Sequence, residues 1–544
     1  MSPMWPQNYT PVAGSLPLSA LVAAVPVFAL LFLLGVLRKP AWLSSVFGLG
    51  AAALVAVGVY GMHVGTLASA IAYGAAFGLF PIGWVVFTAI LLYNITVETG
   101  KFQVVKDSVG SLTEDRRLQA LLIAFAFGAF IEGAAGFGTP VAVSAAMLSG
   151  LGFSPFYAAG ICLLANTAPV AFGSIATPIL TLAGITGLPL DRLSAGVGRI
   201  CAPVSLIVPG YLVLVMGGWR ALRGVLPAAA LCGIAFGGTQ FLVSNFIGPQ
   251  LTDILSSLAA IGSLVLLFKL WKPKDTFEFD KHSTAHVAPP RHAPRELLVA
   301  WAPYMLLVVF VLLWGYKPLQ AKLSSAAYIF PWPALHNVIE RMPPVVAKPA
   351  AYGAIYTFNW LSAPGTACLF AALLSALLLG MPVGQFARVF RSTVKQLLLA
   401  ELTIASVLAL AFLMNYCGAT ATLGLAFAAT GALFPFFSSM LGWLGVFLTG
   451  SDTASNALFG NLQVITAGKL SMNGVLMASS NSAGGVMGKM ISLQSVAVAS
   501  AATAMKAEDE GRLFRFTLRH SILLASITGL LVVFYTYVAP QLAP

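Results

Sequence analysis

The sequence predicts an all-α, polytopic integral membrane protein with about 12–14 membrane elements, arranged as two pseudo-repeats with broken or re-entrant helices. Three observations predict this. Only 8% of the 544 residues are charged and 59% are hydrophobic, whereas an ordinary soluble domain carries about 25% charged residues. Mean hydropathy is +0.90, and so few charges cannot cover a soluble surface of this length. Third, each half holds an isolated acid beside an apolar stretch interrupted by Gly, Pro, Ser and Asn. A disordered chain, a collagen and a disulfide scaffold are excluded. Barrel strands would alternate and carry more polar residues.

A helix needs about 20 apolar residues to cross the hydrocarbon core. Residues 15–37 and 41–62 each provide a charge-free span, and the first reads as an uncleaved anchor, being too long for a signal segment. Residues 66–97 are long enough for a span plus a short surface helix. Later spans are expected at 193–216, 225–246, 252–268, 298–315, 365–383, 396–415, 419–438 and 520–540. The stretches 118–190 and 440–505 are apolar but broken.

Lys and Arg set the orientation. The segments around Arg38, at 101–117, around Arg220, and at 269–295, 388–395 and 506–519 hold 21 of the 29 basic residues, and 316–350 holds four. Placing the first group inside leaves both termini outside. The net charge of +12 then belongs to cytoplasmic loops facing lipid, and no nucleic-acid partner is expected.

The chain divides into an N-terminal membrane half (1–270), a polar cytoplasmic linker (271–297) and a C-terminal membrane half (298–544). His282, His286 and His292 in the linker invite a metal reading. Pro289, Pro290 and Pro294 oppose the helix that such spacing needs, so no metal is expected. The five cysteines are scattered without a CxxC pair.

Between Arg117 and Asp191 the only charge is Glu132. Fifteen helical residues from Arg117 place it about 22 Å deeper, and an ionisable group at that depth is a functional candidate. The alternative makes 118–131 a short span and Glu132 an exterior turn residue, but fourteen residues fall short of a crossing. The run Phe130–Pro140 that follows contains Gly133, Gly136, Gly138 and Pro140 and cannot be one continuous helix. It lacks the spacing and the preceding strand of a dinucleotide loop.

A second break is Asn166-Thr167-Ala168-Pro169-Val170-Ala171-Phe172-Gly173, followed by Ser174 and Thr177-Pro178. Asn166, Thr167 and Ser174 offer neutral groups for a carboxylate or hydroxyl. An ordinary proline kink at Pro169 with back-bonded hydroxyls is the competing reading.

In the second half, Asp452 lies within Thr449-Gly450-Ser451-Asp452-Thr453, followed downstream by Asn481-Ser482-Ala483-Gly484-Gly485 and Gly488-Lys489. The Asn-[Thr/Ser]-Ala motifs are offset by 315 residues and the two acids by 320, which suggests a duplication. Interrupted segments in corresponding places point to the midplane site of a secondary transporter. The breaks at 166–173 and 481–489 are expected to face each other, with Asn166 and Asn481 near one cavity. Gly484 and Gly485 are expected to break the second helix. Ser451, Thr453 and Ser482 add polar groups, and Lys489 is the candidate cation for an anionic substrate. Ala483 and Met490 spoil a Walker motif.

The segments FIEGAAGFGTPVA (130–142), NTAPVAFG (166–173), SNFIGP (244–249), RMPPVV (341–346), GWLGVFLTGSDTASNALF (442–459) and GKMIS (488–492) resemble the bacterial L-lactate permease family, which includes glycolate permeases. MWPQNY (4–9) and LFRFTLRHS (513–521) fit too. The resemblance covers essentially the whole chain and is weakest in 271–297 and 316–340. It implies proton-coupled uptake of 2-hydroxymonocarboxylates (L-lactate, D-lactate, glycolate) across the bacterial inner membrane, with no cofactor beyond the proton. It also implies kinship with elevator-type transporters of two repeats.

Glu132, surrounded by Gly, Ala and Phe, is expected to carry the proton. Asp452, among Ser, Thr and Asn, is expected to organise the site. Another small anion, or sodium coupling at Asp452, remains open. A membrane-embedded enzyme finds no HExxH, GxSxG or paired intramembrane His, so an enzyme is not expected. Oligomeric state stays open.

Overall fold

The structure, a computed structural model, describes residues 4–136, 138–275, 277, 290 and 292–544. His282, His286 and Phe137 lie outside the described residues. In chain order the helices are α1 (Leu16–Gly35), α2 (Ala41–Gly58), α3 (Val64–Phe77), α4 (Trp84–Glu98), α5 (Lys101–Gly110), α6 (Arg116–Gln119), α7 (Gly128–Ala134), α8 (Thr139–Gly150), α9 (Pro155–Ala165), α10 (Gly173–Thr186) and α11 (Leu190–Phe246). They continue with α12 (Thr252–Leu270), α13 (Pro294–Gly315), α14 (Lys317–Ser324), α15 (Pro364–Leu378), α16 (Val383–Cys417), α17 (Ala419–Phe427), α18 (Phe434–Thr449), α19 (Asp452–Lys469), α20 (Gly474–Lys489), α21 (Leu493–Ala502) and α22 (Ala507–Tyr537). Among the described residues, ten helical stretches are long and apolar enough to cross a membrane. They number eleven when the bent pair α9–α10 counts as one span, and α8 and α15 are shorter apolar helices.

Several spans differ from the expected ones. Residues 66–97 form one long broken span: α3 and α4 are joined by a π-helical turn at Gly78–Gly83, where Phe80 adopts φ −144° and ψ 122°. Both halves lie along α16, with Gly74 against Ala409 and Gly78 against Ala405. The expected spans 193–216 and 225–246 are the two limbs of α11, which folds back at Gly217 and Gly218. Ser194 Oγ donates to the Ser244 carbonyl at 2.7 Å and Arg199 Nε to Asn245 Oδ1 at 2.8 Å, closing the hairpin. The expected single span 419–438 is two helices, because Gly431 turns at φ 55°, ψ −129°.

Five short strands were not anticipated: β1 (Trp5–Pro6), β2 (Tyr328–Pro331), β3 (Ile339–Arg341), β4 (Ala350–Ala351) and β5 (Ile355–Phe358). They pair in the orders β1-β3-β4 and β2-β5, with Trp5 opposite Ile339. Gln7 Nε2 ties this cap to the end of α16 through the Asn415 and Tyr416 carbonyls, at 2.9 and 2.8 Å. The C-terminus reaches the same face: Lys469 borders the Pro6–Thr10 segment, and nearby Asn473 Nδ2 donates to the Pro544 carbonyl at 2.9 Å. On the opposite face Arg117 pairs with Asp115 and Asp275, and His292 with Asp107 and Glu296.

The same element order occurs twice. A helix, a tight tip and a returning helix (α7–α8; α18–α19) precede a span with an internal break (α9–α10; α20–α21). α10 and α19 run parallel, since Asn456 Nδ2 donates to the Pro178 carbonyl at 3.1 Å and Gly460, one turn on, meets Leu182. α20 returns along α19 after the turn at 470–473, so it opposes α10 in direction. The two units therefore traverse the protein in opposite senses.

The second break is not where the small-residue motif placed it. α20 runs unbroken through Asn481, Gly484 and Gly485, and the chain leaves helix only at 490–492. The glycines serve close packing on α18: a Cβ on Gly484 would overlap the Ser439 carbonyl, and one on Gly488 the Trp443 carbonyl. Glycine in a helix is costly in backbone entropy but lets two backbones touch. In the first unit, Gly133 remains helical within α7, while the tip is made by Gly136 (φ 63°) and Gly138 (φ 82°). Pro140 is the second residue of α8, where its missing N–H leaves no gap.

Candidate transport site

Two parallel helix starts meet at one cavity. α19 begins at Asp452 after Gly450 turns left-handed (φ 72°), and Ser451 Oγ caps the Ala454 amide at 3.2 Å. The regular part of α10 begins after Ser174, Ile175 and Ala176, three consecutive non-glycine residues in left-handed geometry (φ 46°, 56° and 60°). Each such residue costs about 1–2 kcal/mol, and backbone strain of this kind persists only where packing enforces it. Ser174 Oγ fixes the turn by donating to the Ala135 carbonyl at the other tip, at 2.9 Å.

The cavity between these starts measures about 290 Å³. Glu132, Ser174, Thr177, Ser451, Asp452, Thr453 and Lys489 contribute to its wall, together with Gln494. The opposite wall is apolar and comes from the α1–α2 corner (Leu34, Trp42) and α16 (Ile404, Val407). Glu132 is 5% exposed, Asp452 3% and Lys489 8%.

Asp452 Oδ2 accepts from Ser482 Oγ at 2.5 Å and from Asn456 Nδ2 at 3.4 Å, while Oδ1 has no partner. Lys489 Nζ donates to the Gly450 carbonyl at 2.5 Å and interacts electrostatically with both Glu132 and Asp452. Glu132 packs on Gly173, where a Cβ would lie 2.6 Å from Oε1. Its Oε2 is buried without a partner, and the Asn166 amide approaches the carboxyl without forming a well-shaped hydrogen bond.

Four expected ligands, Asn166, Thr167, Asn481 and Ser482, stand back from the cavity wall. Asn481 bridges Gln463 (3.0 Å) and Asn456 Oδ1 (2.9 Å), in a network that supports Asp452 from behind. Ser482 reaches Asp452 alone among side chains. Thr167 Oγ1 is back-bonded to the Leu164 carbonyl at 2.8 Å, and Pro169 lies in the turn after α9. Gln463 and Gln494 escaped the sequence reading as site residues because single neutral polar residues in apolar helices carry no pattern, whereas Thr177 belonged to the second break already named. Asp253 was hidden inside an expected span.

Outside the membrane segments the electrostatics are local. The Arg117 guanidinium beside Asp275 holds that carboxyl below the usual carboxylate range. Asp107, with Glu296, raises the His292 imidazole above its ordinary value. The one described histidine of the linker trio is thus engaged by carboxylates.

Two inverted units, meeting tip to break around a small charged cavity within spanning helices, define a multi-pass membrane transporter. The sequence pattern described as L-lactate permease matches residues 19–539. The chain belongs to that family. It is 43% identical over 551 aligned positions to an L-lactate permease of Salmonella typhimurium, covering 99% of this chain and 100% of the relative. It is 44% identical to the glycolate permease GlcA of Escherichia coli, covering 98% of each. It is also 44% identical to an L-lactate permease of Bacillus subtilis, covering 99% and 100%. Among solved structures it is similar to the Alcanivorax borkumensis YdaH transporter (14% identity, 87% of this chain and 88% of that one, TM-score 0.45). Neisseria gonorrhoeae MtrF is comparable (13% identity, 87% and 84%, TM-score 0.45).

Proposed function

We propose that the protein takes up L-lactate, with D-lactate and glycolate as related substrates, together with a proton across the bacterial inner membrane. The observation that carries this reading is the convergence of Glu132, Asp452 and Lys489 on one small cavity at two helix starts. Amides at helix N-termini and the Lys489 ammonium suit a carboxylate. Ser174, Thr177, Ser451 and Thr453 offer hydroxyls to the substrate's 2-hydroxyl. Relatives named for L-lactate and glycolate support the substrate class.

One anion moving with one proton is neutral, so transport does no work against the membrane potential, which would otherwise be about 2.3 kcal/mol per charge per 100 mV. Glu132 is the proton carrier in this reading and Asp452 the organiser. Basic residues put the Arg117 face in the cytoplasm and both termini outside. The α1–α2 corner, next to Arg38, then gives the cavity a cytoplasmic wall.

The test is uptake of labelled L-lactate into proteoliposomes with an alkaline lumen. Accumulation that follows the pH gradient without sodium is expected. Uptake that needs sodium and ignores pH would overturn the coupling and favour a cation site at Asp452.

A further inference from the structure

Asp253, the second residue of α12, is a further buried acid, and no step described so far uses it. It is 1% exposed, and neither carboxylate oxygen has a partner. Its side chain packs directly on the proton-carrier helix: a Cβ on Gly133 would lie 2.8 Å from Asp253 Cβ. α12 runs antiparallel to α6–α7, from Asp253 beside Gly133 back toward Asp275 beside Arg117. Asp253 therefore shares the depth of Glu132, at the end of α6–α7 away from Arg117.

The titratable groups that face Asp253 can be named element by element. α7 contributes Glu132, with which it is electrostatically coupled. α11 contributes the buried Cys201 thiol. α10, which also touches α12, carries no acidic or basic side chain. Lys489 acts on Glu132 and Asp452. Among those groups the one charged partner coupled to Asp253 is the Glu132 carboxyl, and no cation is coupled to it.

Two coupled buried carboxyls on helices in contact cannot both be ionised cheaply; one proton held between them relieves the repulsion. We propose that Asp253 and Glu132 form a proton-sharing pair in which one proton is held by either carboxyl while the site is empty. This inference rests on the proton-coupled reading above. In the empty site the pair carries one proton and one negative charge, while Lys489 balances Asp452. Lactate enters with one negative charge and a second proton enters with it, so that both carboxyls are then neutral. The buried charge is the same before and after loading. Only Glu132 lines the cavity, so the proton of Asp253 exchanges through Glu132.

The experiment compares wild type with Asp253→Asn in proteoliposomes, by lactate counterflow and by accumulation under a pH gradient. Wild type should accumulate lactate with the gradient; if it does not, the proton-coupled reading has failed, whatever the variant does. Given a coupled wild type, D253N should still exchange lactate at a reduced rate but lose at least tenfold in gradient-driven accumulation, with exchange no longer varying with pH as in wild type. D253N with wild-type accumulation and pH profile would overturn the proposal. Should D253N fail to exchange at all, Asp253→Glu decides. Restored accumulation with a displaced pH midpoint is expected. Exchange without a gradient response, an unmoved midpoint, or no activity would overturn it.

Discussion

Ser482 Oγ donates to Asp452 Oδ2 at 2.5 Å, joining the middle of α20 to the first residue of α19. The other Asp452 oxygen is left without a protein partner at the cavity. A hydrogen bond to a charged group contributes about 1.5–3 kcal/mol. Ser482→Ala should therefore lower lactate exchange by about tenfold or more while the protein remains folded. Counterflow and a melting curve in detergent check the two halves of this statement separately.

Glu132 and Asp452 border the same cavity but differ in company. Glu132→Gln should abolish gradient-driven accumulation and spare part of the exchange, because Gln mimics the protonated acid. Asp452→Asn should weaken both, since the amide cannot accept from Ser482 and Asn456 as the carboxylate does. A Glu132→Gln protein that still concentrates lactate would make Asp452 the leading candidate for the proton.

Close packing of α18 on α20 sets a third expectation. A Cβ on Gly442 would overlap the Asn481 carbonyl, whereas one on Gly50 in α2 meets nothing within 4 Å. Gly442→Ala should destabilise by about 1–3 kcal/mol, and Gly50→Ala should leave the melting temperature nearly unchanged. Equal effects would mean that the two helices are not held at backbone distance.

The ion pairs of His292 and Arg117 give a pH dependence with a defined sign. His292, raised by Asp107 and Glu296, contributes stability that is fully present below its unfolded value, about 6.5, and is lost as pH rises through the higher folded value. His292→Gln should thus lower the melting temperature more at pH 6 than at pH 9. Asp275 behaves oppositely. Lowered by Arg117, it contributes above its unfolded value, and that contribution is lost as pH falls through the folded one. Asp275→Asn should have its largest effect near neutrality and little at strongly acidic pH.

The sequence by itself determined the membrane class, most spans, the two isolated acids and the first broken span, because burial in lipid forbids stray charges and irregular backbone alike. It also marked Lys489, which lines the cavity as the reading of an anion site requires. Tertiary structure decided the rest. Small residues read the same whether they break a helix or let two helices touch, so only the contact of Gly484 with Ser439 shows that α20 is continuous. The left-handed turn at Ser174–Ala176 has no glycine to announce it and exists because the tip at Ala135 holds it. Asp253 sits in an ordinary apolar span, and its meaning comes from packing on Gly133, 120 positions earlier in the chain. Spacing along one helix fixes which residues share a face. Which face meets which is settled by how close two backbones can approach, and that depends on both partners at once.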